Sequence, residues 1–165
     1  MLKKILKRIF QILLIAFIAI QFIRPEKNKA AGISKNDIST IYPVPAGVQA
    51  VLKTSCYDCH SNNTIYPWYA KVQPVAWWMA DHIKDAKKDL NFSEFAAYSL
   101  RKQYHKLEEV DEMVTKGEMP FHYYLWIHKN ANLSGEQKLT IGNWVNAVMD
   151  TMKAKYPVDS LIKKK

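Results

Sequence analysis

Both cysteines of the chain fall within one pentapeptide, Cys56-Tyr57-Asp58-Cys59-His60. Two thiols three residues apart lie about one helical turn from each other and can point to one side. The spacing, with a histidine directly after the second thiol, reads as a covalent c-type haem attachment site. Each thiol would form a thioether with one vinyl group of the same porphyrin, and His60 would ligate the iron from below the ring. The rival uses of such a group fit less well. A structural zinc site takes four ligands, usually from two separated pairs, and no second cysteine pair exists. A dithiol redox motif sits between a strand and a helix of a βαβ pattern, and no such pattern surrounds it. A plain disulfide between Cys56 and Cys59 leaves His60 unexplained.

A chain of 165 residues suits one domain with an appendage. Apolar residues make up 48% and glycines number only five. That composition favours an all-α fold over a turn-rich β fold. Residues 1–30 differ in kind. Lys3, Lys4, Lys7 and Arg8 precede an apolar run from Ile9 to Ile23, broken by Gln11 and Gln21 and followed by Arg24 and Pro25. Extended by Ile5 and Leu6, with the cations snorkelling, the run is expected to form an N-terminal transmembrane helix over 1–24. A cleaved signal peptide is the competing reading, but Asn28-Lys29-Ala30 matches a small-residue cleavage site poorly. The cations ahead of the run place the N-terminus inside and the remainder outside the cytoplasm. Residues 1–30 hold seven Lys or Arg and one Glu, so most of the net charge of +9 sits there. No basic stripe runs through the rest, which argues against nucleic-acid binding.

Residues 25–45 carry Asn, Lys, Ser, Asp and three prolines and read as a tether. The folded domain is expected over 46–156. A helix from about residue 46 to Cys59 would bury Val48, Val51 and Leu52 and carry the thiols at its end. A loop by composition, 61–64, follows His60. Tyr66, Trp68, Tyr69, Trp77 and Trp78 are mostly expected in the core, with several walling the porphyrin. Pro67 or Pro74 is a candidate for the carbonyl that accepts the His60 ring N–H. Pro74 suits the first turn of a helix reaching about Asp89. Asn91-x-x-Glu94 has the form of a capping box and predicts a helix carrying Phe95, Tyr98, Leu107, Val110 and Val114 that stops at Gly117. Ser134-x-x-Gln137 is a second capping box, opening a last helix with Ile141, Trp144, Val145 and Val148 on its packed face. Pro157 is expected to end the ordered part, leaving 157–165 as a basic tail.

Between those helices comes Gly117-Glu118-Met119-Pro120. A thioether is a soft ligand that suits haem iron opposite histidine, and Met119 sits in a turn bounded by Gly and Pro. Met119 is therefore the candidate sixth ligand. Met79, Met113, Met149 and Met152 lie in helical patterns and are assigned to the core. His82, His105, His122 and His128 are the rivals for the distal position, with His105 foremost.

The order of haem motif, Gly-x-Met-Pro loop and C-terminal amphipathic helix with a tryptophan resembles a class I cytochrome c. A closer resemblance is to a bacterial family of haem-binding-domain proteins with one Cys-x-x-Cys-His site behind an N-terminal membrane segment. It is carried by SCYDCHSNNTIYPWYAKVQPVAWWMADHI, LNFSEF, RKQYHKLEE and GEMPFHYYLWIH, spanning about 55–128. The resemblance implies a cytochrome c-like helical domain enclosing one covalently bound haem c. Cys56 and Cys59 would be attachment residues, His60 the proximal ligand and Met119 the distal one. Motif, apolar run and ligand set together lead to the expectation of a monohaem protein on the outer face of the cytoplasmic membrane that passes electrons to a redox partner, which the family resemblance itself does not identify. Alternatives are a peroxidase-like haem enzyme with an open distal site, or a haem-based sensor.

Overall fold

The computed structural model describes residues 1–162, and those residues contain helices and no strand. Eight α-helices follow one another among them: α1 (Leu2–Ile20), α2 (Ala46–Ser55), α3 (Tyr57–His60), α4 (Val75–Asp89), α5 (Leu100–Lys116), α6 (His122–Leu125), α7 (Gly135–Lys155) and α8 (Val158–Leu161). Short 3-10 turns fill the gaps at Ile38–Thr40, Trp68–Lys71, Phe92–Ala97 and Lys129–Ala131.

The two longest helices of the domain, α5 and α7, pack against each other. Local chemistry sets their ends. Ser99 Oγ accepts from the Lys102 amide to open α5, and Gly117 closes it in the left-handed region at φ 73°. Ser134 and Gln137 form the expected reciprocal capping box at the start of α7. At Gly142 a Cβ would stand 2.9 Å from Asp111 Oδ1, so glycine there lets the two helices approach. The core lies around this pair: Leu107 from α5, Ile141, Val145 and Met152 from α7, Leu52 from α2, and Phe92 and Phe95 from the 3-10 turn are almost fully buried. Val48, Val51, Trp144 and Val148 are buried as the helical spacing predicts. The Trp144 indole N–H donates to Pro43 O at 3.0 Å, fastening α7 to the entry of α2. Of the four helical methionines, Met149 and Met152 are buried, and Met79 and Met113 are half-buried.

The N-terminal span is a correction. Helix α1 exists, but no helix among the described residues is long and apolar enough to cross a membrane. The four cations lie inside α1, and the helix ends at Ile20. Its uncharged part, 9–20, is about 18 Å long against the roughly 30 Å of a bilayer core.

Residues 25–45 do more than connect. Ile38 is fully buried, and the Tyr42 hydroxyl donates to Gln103 Oε1 at 3.0 Å. Asn28 binds the loop after the haem motif, its side-chain amide donating to Ser61 O and Thr64 Oγ1. At the other end, order continues past Pro157. Helix α8 buries Leu161, and Arg101 donates to Asp159 O. The last three lysines of the expected tail lie outside the described residues.

The stretch after Leu90 also differs from the capping-box expectation. Asn91 caps a short 3-10 turn, the backbone extends at Tyr98, and α5 starts anew under Ser99. The Glu94 carboxylate turns away from Asn91. It accepts from Ser34 Oγ, Asn36 Nδ2 and Asn62 Nδ2, tying three segments together.

Candidate haem site

Helix α2 does not run on to Cys59. It stops at Ser55, Cys56 leaves helical geometry at φ −125°, and α3 carries Tyr57 to His60. The Cys59 and His60 amides both donate to Cys56 O, so the five residues wrap one tight turn. Both thiols are free and half-buried. Burial pushes Cys56 up to about 12, helped by Cys59, and pushes Cys59 up to about 11, helped by Asp58. These are protonated thiols. A dithiol built for disulfide exchange holds a thiolate near neutral pH, so that reading is disfavoured.

His60 is aimed by a backbone carbonyl. Its Nδ1 lies 2.9 Å from Leu90 O, at the end of α4. Donation from Nδ1 fixes the tautomer that leaves Nε2 with its lone pair. Burial lowers the His60 pKa, so the ring is neutral, which is the form that ligates a metal. The carbonyl belongs to Leu90, and neither Pro67 nor Pro74 supplies it. The end of α4 is itself held down. Lys106, a buried side chain of α5, reaches Asp89 Oδ1 at 2.7 Å and Glu109 Oε2 at 2.5 Å. Burial alone would lower the Lys106 pKa, but the two carboxylates outweigh it and raise it.

The rings expected mainly in the core are elsewhere. Tyr66, Tyr69 and Trp77 are half-buried, and Trp68 and Trp78 are exposed. Trp78 and Tyr69 each join an aromatic arm beside the haem motif. In one, Tyr123 stacks on Phe121 and meets Trp78 edge-on, with the His82 ring against Trp78. In the other, the Tyr69 hydroxyl lies 2.5 Å from His128 Nε2, and Tyr124 stacks on the His128 ring with centroids 4.1 Å apart. The second arm is anchored in the motif: the Tyr124 hydroxyl donates to Asp58 Oδ2 at 3.0 Å. Burial, with the Asp58 charge next, raises the Tyr124 pKa. Burial also raises the Tyr123 pKa, and Cys59 lies close enough to couple to the ionisation of both tyrosines.

Met119 is half-buried in the turn after α5, its amide donating to Met113 O at 3.2 Å. It stands five residues before Tyr124, so the chain holds its Cα within about 18 Å of the Tyr124 Cα. The rival histidines are otherwise engaged. His105 is exposed on α5 beside Glu108 and Glu109. His82 Nδ1 is bonded to Trp78 O in its own helix, His122 packs on Trp126, and His128 Nε2 meets Tyr69.

The residues present fit a haem. There are two unpaired thiols on one turn, a neutral imidazole with one ring nitrogen already bonded, and half-buried or exposed aromatic rings alongside. Leu90 and Tyr124 were missed by sequence reasoning. A carbonyl carries no side-chain signal, whereas the tyrosine pair after Met119-Pro120 was visible as an aromatic cluster. A family model described as a haem-binding domain matches residues 15–147, which is most of the chain. No curated protein and no solved structure matches the chain. Motif, imidazole geometry and family match agree, and the chain belongs to the haem-binding domain family.

Proposed function

We propose that the protein is a monohaem c-type cytochrome that carries electrons outside the cytoplasm, where covalent haem attachment takes place. The observation that carries this reading is the bond from His60 Nδ1 to Leu90 O, which presents Nε2 as a ligand from a rigid helix end. Cys56 and Cys59 hold the porphyrin through thioethers, each thiol adding across one vinyl group. Met119 would supply a thioether sulfur as a second protein ligand to the iron. When bound, the haem supplies a one-electron couple at its iron, and a methionine ligand favours the reduced state. The aromatic arms would flank the group when bound, and any water they keep from it would raise the reduction potential further. With His60 and Met119 both holding it, the group would serve to pass electrons and would leave no position for a substrate.

Visible and near-infrared spectra of wild type and Met119→Ala test the axial pair. The wild type is expected to be low-spin with a sulfur-to-iron band that the variant lacks. Persistence of the band in the variant, or a high-spin wild type, overturns the assignment of Met119.

A further inference from the structure

The second aromatic arm carries a group able to bind a proton. The Tyr69 hydroxyl donates to His128 Nε2 at 2.5 Å, which leaves the ring's own proton on Nδ1. The His128 ring lies over Tyr124 with planes 7° apart and centroids 4.1 Å apart. The Tyr124 hydroxyl donates in turn to Asp58, the residue before Cys59. A stacked pair and one hydrogen bond thus connect this imidazole to the turn that bears both thiols.

The surroundings suit a cation at that ring. An imidazolium is attracted to the face of a tyrosine. The charged and titratable groups on the elements packed against His128 are Lys53 of α2, Asp58 of α3, Tyr69 and Lys71 of the 3-10 turn, and His122, Tyr123 and Tyr124 of α6, with Lys129 next in the chain. Asp58 is the carboxylate among them, and it stands at the far end of the ring on which His128 stacks. His128 is half-buried and lines a cleft of about 340 Å³ with Lys53 and Asn130, both exposed, so water has a path to it.

We propose that His128 takes up a proton when the haem is reduced, coupling electron transfer at the iron to proton binding in the arm. This rests on the reading of the protein as a c-type cytochrome. One electron comes from a one-electron donor protein and one proton from water. The proton binds Nε2, and the Tyr69 hydroxyl turns from donor to acceptor. The electron removes one positive charge from the site, and the imidazolium restores it. Linkage is reciprocal, so the reduced protein holds the proton more tightly and the reduction potential falls as pH rises.

Potentiometric titration of the holoprotein across the pH range where imidazoles titrate tests this. One charge acting on another inside a protein is expected to tighten the proton roughly tenfold in the reduced state. The potential then drops by about 59 mV between the acid and alkaline ends, since tenfold is that much for one electron. His128→Gln is expected to flatten the profile and keep the low-spin spectrum. A drop that persists in this variant overturns the proposal by placing the proton elsewhere, as on the porphyrin carboxylates. Should the variant fail to fold, NMR titration of the His128 ring in oxidised and reduced wild type reads the same coupling. Tighter proton binding in the reduced protein is expected, and equal binding in the two states overturns the proposal. A protein without haem overturns the cytochrome reading and the proposal together, whereas a reversible haem couple with a potential flat in pH overturns the proposal alone.

Discussion

A single imidazole has to be neutral, correctly tautomeric and immobile before it can serve as a fixed ligand, and each condition at His60 has its own cause. Burial removes the charge, Leu90 O sets the tautomer, and the Lys106 cluster holds the end of α4 where that carbonyl lies. Asp58 does comparable work on the other side of the motif. It accepts from the Ile65 amide at 2.9 Å and from the Tyr124 hydroxyl at 3.0 Å, so the segment that begins with Met119 is moored to the haem turn. Tyr124→Phe removes one hydrogen bond to a charged acceptor and is expected to cost about 1–2 kcal/mol. The measurement is thermal unfolding together with the near-infrared sulfur band. Lower stability with a diminished band is expected, and an unchanged pair of readings contradicts the mooring role. The sequence made Cys56, Cys59 and His60 legible because thiols and an imidazole advertise their chemistry. The partners that aim them were not legible, since one is a main-chain carbonyl thirty residues away and the other a tyrosine among many aromatics.

Helix ends decide where the chain turns, and they separate the motifs that could be read from those that could not. Ser134-x-x-Gln137 and Asn91-x-x-Glu94 have the same form, yet only the first closes reciprocally. Glu94 has three side-chain donors from distant segments, and tertiary contacts outweigh the local bond back to Asn91. The predicted α4 boundary held because Pro74 and the pattern after it depend only on local geometry. The break between α2 and α3 had no such local mark. Ser134→Ala is expected to destabilise the domain by about 1 kcal/mol, as loss of a helix cap does. Chemical denaturation would check this, with a fall in midpoint at constant slope. No fall would mean that the rest of α7 holds the end without its cap.

At the scale of the molecule, the division of aromatic residues is the feature composition could not foretell. Phe92 and Phe95 pack the core with aliphatic side chains, while Trp68 and Trp78 stay out of it beside the haem motif. Periodicity tells which face of a helix is apolar, but an apolar face can meet a core, a cofactor or a lipid equally well. The segment 25–45 was misjudged for a related reason. Its polar residues looked solvated, yet they are the ones that bond across the fold. Glu94 makes this testable by pH. Hydrogen bonds, with Asn36 first, hold its carboxyl below the ordinary range against the effect of burial. A depressed pKa adds stability that is complete above the unfolded value of about 4.3 and lost as pH falls through the folded one. Glu94→Gln should therefore be less stable than wild type at pH 7 by about 1 kcal/mol, with the gap closing in acid. A gap independent of pH would rule out the charge as its source. The central claim is a covalent one, and intact-mass analysis of protein matured in a host able to attach haem tests it most directly. The wild type is expected to be heavier than its polypeptide by one haem, with Cys56→Ala combined with Cys59→Ala at the bare polypeptide mass. A wild type that emerges at the bare polypeptide mass contradicts the account.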